Sequence, residues 1–207
     1  MYIQEDIRHL TQFVFVVKVL ERYFFMNKTN INKITITAIC IALCVVLPYV
    51  FHFIPNAGQL FSPMHIPVLL CGLVTGPLYG LATGVFGPLL SSLLTGMPPT
   101  AFLPNMMIEL ALYGLIAGLM MRIVHTGKLY LDILISLIVA MLLGRVFIGI
   151  VIWLFLSQGD YGISAWFAAY FTGSIPGIIA HIIIIPIVTL ALIRANLVPN
   201  KYEKSTK

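Results

Sequence analysis

Charged residues are scarce in this sequence. Asp, Glu, Lys and Arg together make up 9% of the 207 residues, and 60% of the residues are hydrophobic. An average soluble domain has a charged share of about 25%. A soluble domain of this length has too little interior to bury so much apolar surface. The composition therefore excludes an ordinary water-soluble fold and indicates a chain whose main solvent is lipid.

Motifs for catalysis and nucleotide binding are also missing. The sequence contains no GxxxxGK[ST] phosphate loop and no HExxH motif, so neither ATP hydrolysis nor a metalloprotease site is expected. Its three cysteines, Cys40, Cys44 and Cys71, lie in apolar runs and are predicted to be buried thiols without a metal or a disulfide. We predict no cofactor. The basic residues follow a membrane-orientation pattern and do not indicate nucleic-acid binding.

Long apolar runs, broken by Gly and Pro, account for most of the chain. We predict an all-α polytopic membrane protein with six transmembrane helices, since about 20 apolar residues span a bilayer. Lys and Arg occur before the first run, after the fourth and after the sixth, and the other links lack them. By the positive-inside rule, both termini are then cytoplasmic. The predicted spans cover residues 34–53, 64–75, 78–94, 102–124, 131–154 and 176–193, and the segment 157–175 stays unassigned.

The N-terminal residues differ in character from the rest. Residues 1–26 mix charges with an apolar stripe at helical spacing. They are interpreted either as an amphipathic helix on the cytoplasmic surface or as an extension upstream of the natural start. Residues 27–207 then form the six-helix transmembrane domain.

Two charged residues, Glu109 and Arg145, lie inside apolar runs and are predicted to sit at membrane depth. A charge at the bilayer centre costs about 2.5–3.5 kcal/mol on insertion scales, so such residues are typically paired or functional. His65, Asn105 and His181 are predicted to lie in the same outer half of the membrane. The sequence therefore predicts a polar pocket that opens outward, in which Arg145 binds an anionic group such as a carboxylate.

Other roles for these residues stay open. Glu109 and Arg145 would form a purely structural ion pair if they only tie two spans together. His181 would then serve packing, and His65 would cap a helix end. Asn56 and Gln59, from the first outer loop, complete the predicted substrate-binding set.

Two longer stretches of this sequence resemble a known family. They run from Phe61 to Pro77 (FSPMHIPVLLCGLVTGP) and from Gly173 to Pro186 (GSIPGIIAHIIIIP). Together with an AxxxA element at Ala38 and Ala42 and the six-span pattern, they resemble the substrate-binding S components of energy-coupling factor (ECF) vitamin transporters. The resemblance covers residues 27–207 and leaves out the N-terminal segment.

The resemblance implies a substrate-capture subunit in a prokaryotic cell membrane rather than an enzyme. It implies that a small vitamin binds at the outer face, with pantothenate-type members as the nearest relatives. It also implies that Ala38 and Ala42 dock on a transmembrane coupling subunit, which two cytoplasmic ATPase subunits drive. Nicotinate, a cobalamin or a queuosine precursor stay open as substrates. An intramembrane enzyme and a stand-alone small-solute transporter are the alternative functions.

Overall fold

The computed structural model describes residues 31–50, 61–151, 153, 174–195, 197–198 and 201–202. These residues contain helices and no strands, which confirms the all-α prediction. The helices are α1 (Ile31–Val50), α2 (His65–Thr75), α3 (Pro77–Thr95), α4 (Leu103–Ile123), α5 (Leu129–Val151) and α6 (Ile175–Arg194). Each lies within a few residues of a predicted span. The segment 1–26 lies outside the described residues, and the placement of both termini in the cytoplasm stays a prediction.

Five of these six helices are long and apolar enough to cross a membrane, with mean hydropathies between 1.4 and 2.6. The exception is α2, which has 11 residues. At 1.5 Å per residue it is about 16 Å long, roughly half of a 30 Å hydrocarbon core. Because α2 is surrounded by protein, its short length exposes little backbone to lipid. All but two of its residues are buried, Ile66 and Val74 being the partly exposed ones.

The core of the bundle forms around α2 and α4. Helix α4 packs on α2, α3 and α5, and α2 also packs on α3 and α6. The central side chains include Leu69 of α2, Leu110 and Tyr113 of α4, Leu137 of α5 and Ile185 of α6, none of them more than 1% exposed. Helix α2 thus fixes the relative positions of its neighbours, although it is the shortest of the described helices.

Glycines at four-residue spacing allow α2, α3 and α4 to approach closely. A Cβ atom on Gly72 or on Gly80 would collide with the backbone of Gly114, and one on Gly118 would collide with Pro77. Small residues permit this kind of backbone contact between helices in lipid. Gly76 joins α2 to α3 at φ 105°, a conformation that side-chain-bearing residues rarely adopt. The glycine pattern therefore serves packing within the chain.

Contacts divide the chain into two compact units after Thr35. Of the first unit, the structure describes the opening turn of α1, where the Thr35 hydroxyl donates to the Ile31 carbonyl over 2.9 Å. The second unit holds the remainder of α1 and all the other described helices. The predicted division at residue 26 stays a prediction.

Candidate functional site

Three helices bring one ionisable residue each to the same level of the bundle. Glu109 of α4, Arg145 of α5 and His181 of α6 each lie thirteen residues from a charged residue at the end of the bundle marked by Arg122, Asp132 and Arg194. We call this end the basic end. Thirteen residues of helix correspond to about 20 Å, which is well inside a 30 Å hydrocarbon core.

The predicted residues His65 and Glu109 are in contact. His65 Nε2 lies 3.5 Å from Glu109 Oε1, and both side chains are at least 87% buried. His65 is the first residue of α2, but its ring does not cap that helix, since no side-chain cap bond is present. Its backbone N–H donates to the Ser62 carbonyl instead, over 3.0 Å. The His65 side chain is therefore directed into the site, and the alternative of a capping role is wrong.

Arg145 is held by a residue that the sequence did not single out. The buried guanidinium donates from Nε–H to the hydroxyl oxygen of Tyr113 over 3.1 Å. Tyr113 is 1% exposed, and its hydroxyl also lies close enough to Glu109 for the two groups to interact. A direct Glu109–Arg145 ion pair is not present in the described part of the chain, so Tyr113 stands between the two charges. Its position four residues after Glu109, on the same helix face, is the signal that would have identified it.

His181 joins this group from the opposite side. Its ring stacks on that of His65, with centroids 5.7 Å apart and planes 19° apart, and the His65 ring also lies 5.1 Å from that of Tyr113. Since a carbonyl only accepts, His181 Nε2–H donates to the Ser62 carbonyl, over 3.3 Å. His65, Glu109, Tyr113, Arg145 and His181 form what we call the polar cluster.

Several buried polar atoms, two of them in the histidines of the polar cluster, lack a hydrogen-bond partner among the described residues. They include Nδ1 of His65, Nδ1 of His181, Oδ1 of Asn105 and Oγ of Ser91. Native proteins rarely leave buried polar atoms unpaired unless a ligand or water completes them. In the neutral tautomer that directs Nε2–H of His65 to Glu109 and Nε2–H of His181 to the Ser62 carbonyl, each Nδ1 is an acceptor. The site thus offers a buried cation together with acceptors that require donors.

The remaining predicted residues fall into two groups. Asn105 lies one turn before Glu109 on α4, next to the polar cluster in sequence and partly buried. Asn56 and Gln59 lie outside the described residues. In the described ranges, no group of three or more His, Cys, Asp or Glu side chains is arranged to hold a metal ion.

Helix α1 presents two different faces. Thr37, Cys40 and Cys44 are buried, and the Cys44 thiol donates to the Met64 carbonyl over 3.9 Å. The three cysteines of the chain are buried, as predicted. Ala38 and Ala42 lie on the other face and are exposed. Two small, exposed side chains therefore lie one turn apart on this face.

A second polar cluster, built around one buried carboxylate that the sequence did not predict, lies at the basic end. Asp132, at the start of α5, is fully buried and accepts from the backbone N–H and hydroxyl of Thr126, over 2.8 and 2.6 Å. It also accepts from Lys201 Nζ over 3.0 Å and from the Tyr202 hydroxyl over 2.6 Å. These four residues form what we call the tail clasp.

The tail clasp also engages the backbone of the α4–α5 link. Lys201 donates to the carbonyls of Met121 and Val124, and the Gly127 N–H donates to the Tyr202 hydroxyl oxygen. The hydrogen bond to the Asp132 carboxylate, with a smaller effect of burial, raises the pKa of Tyr202 above its ordinary value. Because Asp132 and Tyr202 are 70 residues apart, no local pattern in the sequence could indicate this contact.

Comparison with known families gives one match. The family model described as ECF transporter, substrate-specific component matches residues 32–191, well over half of the chain. No curated protein and no solved structure matches the chain. The matched region includes every residue of the polar cluster and the exposed alanines of α1.

Proposed function

The chain belongs to the family of substrate-specific components of ECF transporters, and from this premise we propose that it binds a small carboxylate vitamin of the pantothenate type at its outer face. Membership makes it the substrate-binding subunit of a membrane transporter, and the family is not a family of enzymes. The vitamin, the binding residues and the partner subunits are the parts that we propose.

The observation that carries the proposal is the composition of the polar cluster. Arg145 is 5% exposed and lies about 20 Å from the basic end. At that level of the bundle, the surrounding solvent is lipid. A guanidinium matches a carboxylate in geometry, because two parallel N–H groups reach both oxygens. Tyr113 receives the Nε–H of Arg145 and so orients the terminal nitrogen atoms. We propose that these nitrogen atoms bind the substrate carboxylate.

The unpartnered acceptors favour a substrate that also carries hydrogen-bond donors. Nδ1 of His65, Nδ1 of His181 and Oδ1 of Asn105 are buried acceptors without a partner in the described residues. Hydroxyl and amide N–H groups are donors that would satisfy them. Pantothenate carries one carboxylate, two hydroxyls and one amide, whereas nicotinate has a carboxylate and no such donors. The set of groups in the site therefore supports a pantothenate-type substrate.

Glu109 has a different role in this proposal. Its Oε1 lies 3.5 Å from Nε2 of His65, and this contact sets the orientation of the ring, with Nδ1 on the other side. It also places a negative charge on the far side of Tyr113 from Arg145. We propose that Glu109 orients the histidine and does not contact the carboxylate, which it would repel.

Transport requires partners, since the sequence has no nucleotide-binding loop of its own. We propose that the face of α1 with Ala38 and Ala42 docks on a transmembrane coupling subunit, which two cytoplasmic ATPase subunits drive in a prokaryotic cell membrane. Two small exposed residues one turn apart allow a foreign helix to approach closely. The other face of α1 is buried, so docking there would disturb the fold.

Calorimetric titration of the purified protein tests this function. We expect saturable binding of pantothenate without ATP. The alcohol in which a hydroxymethyl group replaces the carboxylate should bind at least about tenfold more weakly, the effect of losing one charged hydrogen-bond pair. Nicotinate, a cobalamin and a queuosine precursor are tested in parallel. Tight binding of one of these, with none of pantothenate, would keep the family role and overturn the substrate.

A further inference from the structure

A cavity of about 340 Å³ lies at the basic end of the bundle, far from the polar cluster. Small-molecule sites have volumes of roughly 300–1,000 Å³, so the cavity is large enough for part of a ligand. Its walls are mainly apolar and come from different helices, with Leu73 from α2, Leu129 from α5 and Ile193 from α6. Thr189 is a polar wall residue, but its hydroxyl already donates to the Ile185 carbonyl over 2.7 Å.

Three basic side chains also line the cavity, and they differ in how they are paired. Lys201 is neutralised by Asp132 in the tail clasp. His125 makes a 2.9 Å contact with the Ile123 carbonyl through Nδ1. Arg122, at the end of α4, has no ion pair and no side-chain hydrogen bond with any residue that the structure describes. Its guanidinium lies against Gly76, at the mouth of the α2–α3 turn.

The combination of apolar walls and one cation without an ion pair in the described part of the chain points to an amphiphilic anion. We propose that this cavity binds an anionic phospholipid, with the headgroup phosphate on Arg122 and part of an acyl chain along Leu73, Leu129 and Ile193. Basic pockets between transmembrane helices at the cytoplasmic side bind such headgroups. The predicted orientation places the basic end at the cytoplasmic leaflet, where anionic lipids are concentrated.

The apolar walls decide between a lipid and a soluble phosphate compound. Arg122 would attract the phosphate of either, because charge and geometry are the same. Only a lipid would also gain free energy from contact with the apolar side chains, at about 25 cal/mol per Å² of buried apolar area. A lipid therefore accounts for both the cation and the apolar walls of the cavity, whereas a soluble phosphate accounts for the cation alone.

The tail clasp completes the wall of this site. Val198 and Lys201 line the cavity, and Lys201 is held there by its bonds to Asp132 and to the Met121 carbonyl. The residues that fasten the C-terminal tail therefore also keep the cavity closed on one side. The tail clasp therefore shapes the cavity in addition to stabilising the fold.

Lipid binding to the delipidated full-length protein tests the proposal by thermal shift and native mass spectrometry. The added probes are phosphatidylglycerol, phosphatidylcholine and inorganic phosphate. We expect phosphatidylglycerol to raise the Tm and to remain bound in the spectrometer, and the other two to do neither. Arg122→Gln should weaken phosphatidylglycerol binding by about tenfold, the usual effect of losing one charge-assisted hydrogen bond. Arg194→Gln is the matched control, because Arg194 lies at the same end but outside the cavity.

A second pair of variants tests the apolar half of the site. Ile193→Trp should fill the cavity and abolish the phosphatidylglycerol shift while Arg122 is intact, and Ile187→Trp, at an exposed position of the same helix, should preserve it. Equal losses in Arg122→Gln and Arg194→Gln would overturn the proposal. Equal stabilisation by phosphatidylcholine would also overturn it, because that lipid has no net negative charge for Arg122 to select. Equal stabilisation by inorganic phosphate alone would overturn it too, because phosphate has no acyl chain.

Discussion

The polar cluster and the tail clasp each contain buried ionisable groups, but they differ in how completely the hydrogen bonds of those groups are satisfied. In the tail clasp, Asp132 accepts from four donors, and its neighbours Lys201 and Tyr202 are bonded in turn. In the polar cluster, Nδ1 of both histidines lacks a partner among the described residues. A satisfied network stabilises a fold, whereas an unsatisfied one is completed by something that binds. This difference supports the proposal that the tail clasp stabilises the fold and that the polar cluster binds the substrate.

The largest effect is expected in the polar cluster. Arg145→Ala should weaken binding of the carboxylate vitamin by about 30-fold or more, because truncating one partner of a buried charge pair costs roughly 2–5 kcal/mol. Titration calorimetry measures the change. Arg194→Ala, which removes an exposed arginine, should bind as the wild type does. If the alcohol analogue of the substrate binds the wild type as tightly as the parent, Arg145 is structural.

In the tail clasp, the expected effect is on stability. Asp132→Asn should lower the free energy of unfolding by about 2–3 kcal/mol, since hydrogen bonds to a charged group contribute roughly 1.5–3 kcal/mol each. Thermal unfolding in detergent measures this. Vitamin affinity of the folded fraction should not change, because the clasp is about 20 Å from the polar cluster. If Asp132→Asn reduces vitamin affinity as much as Arg145→Ala does, the claim that the tail clasp serves only stability is wrong.

Substitutions on the proposed docking face of α1 should change neither vitamin affinity nor the tail clasp. Ala38→Trp should reduce vitamin uptake by the assembled transporter roughly tenfold and leave the affinity of the isolated protein unchanged, because bulk prevents close helix approach. Uptake into vesicles and calorimetry measure the two quantities. Ile39→Trp is the control, since that position already carries a large exposed side chain. If uptake and affinity fall together in Ala38→Trp, Ala38 contributes to substrate binding or to the fold and not to docking alone.

The smallest effect concerns the residue between Glu109 and Arg145. Tyr113→Phe removes the hydroxyl that accepts from Arg145 Nε–H and should weaken vitamin binding by about five- to tenfold, in line with a net hydrogen bond of about 1 kcal/mol. The ring and its packing remain. Tyr202→Phe is the matched change in the tail clasp and should lower the Tm slightly without altering affinity. If Tyr202→Phe weakens vitamin binding and Tyr113→Phe lowers only the Tm, the roles given to the two clusters are wrong.

Several features of the site followed from the sequence, and others did not. The depth of Glu109, Arg145 and His181 could be counted along the helices, and the charges of Glu109 and Arg145 in apolar runs marked those two residues as unusual. Which of these side chains contact one another could not be predicted from their positions in the sequence. Glu109 contacts His65 and not Arg145, and Tyr113 lies between them. The glycine spacing indicated close packing, and the structure identifies the contacts as those of α2, α3 and α4.

The sequence by itself determined the solvent, the helical class and the positions of the helices, because apolar length and Gly-Pro breaks act locally along the chain. It also determined which residues carry charge at depth. Only the tertiary structure decided which side chains meet. Helices in lipid are apolar on most faces, so periodicity does not tell which face turns inward. The rotation of each helix depends on packing around α2, and the contact of Tyr202 with Asp132 depends on where the chain returns after α6.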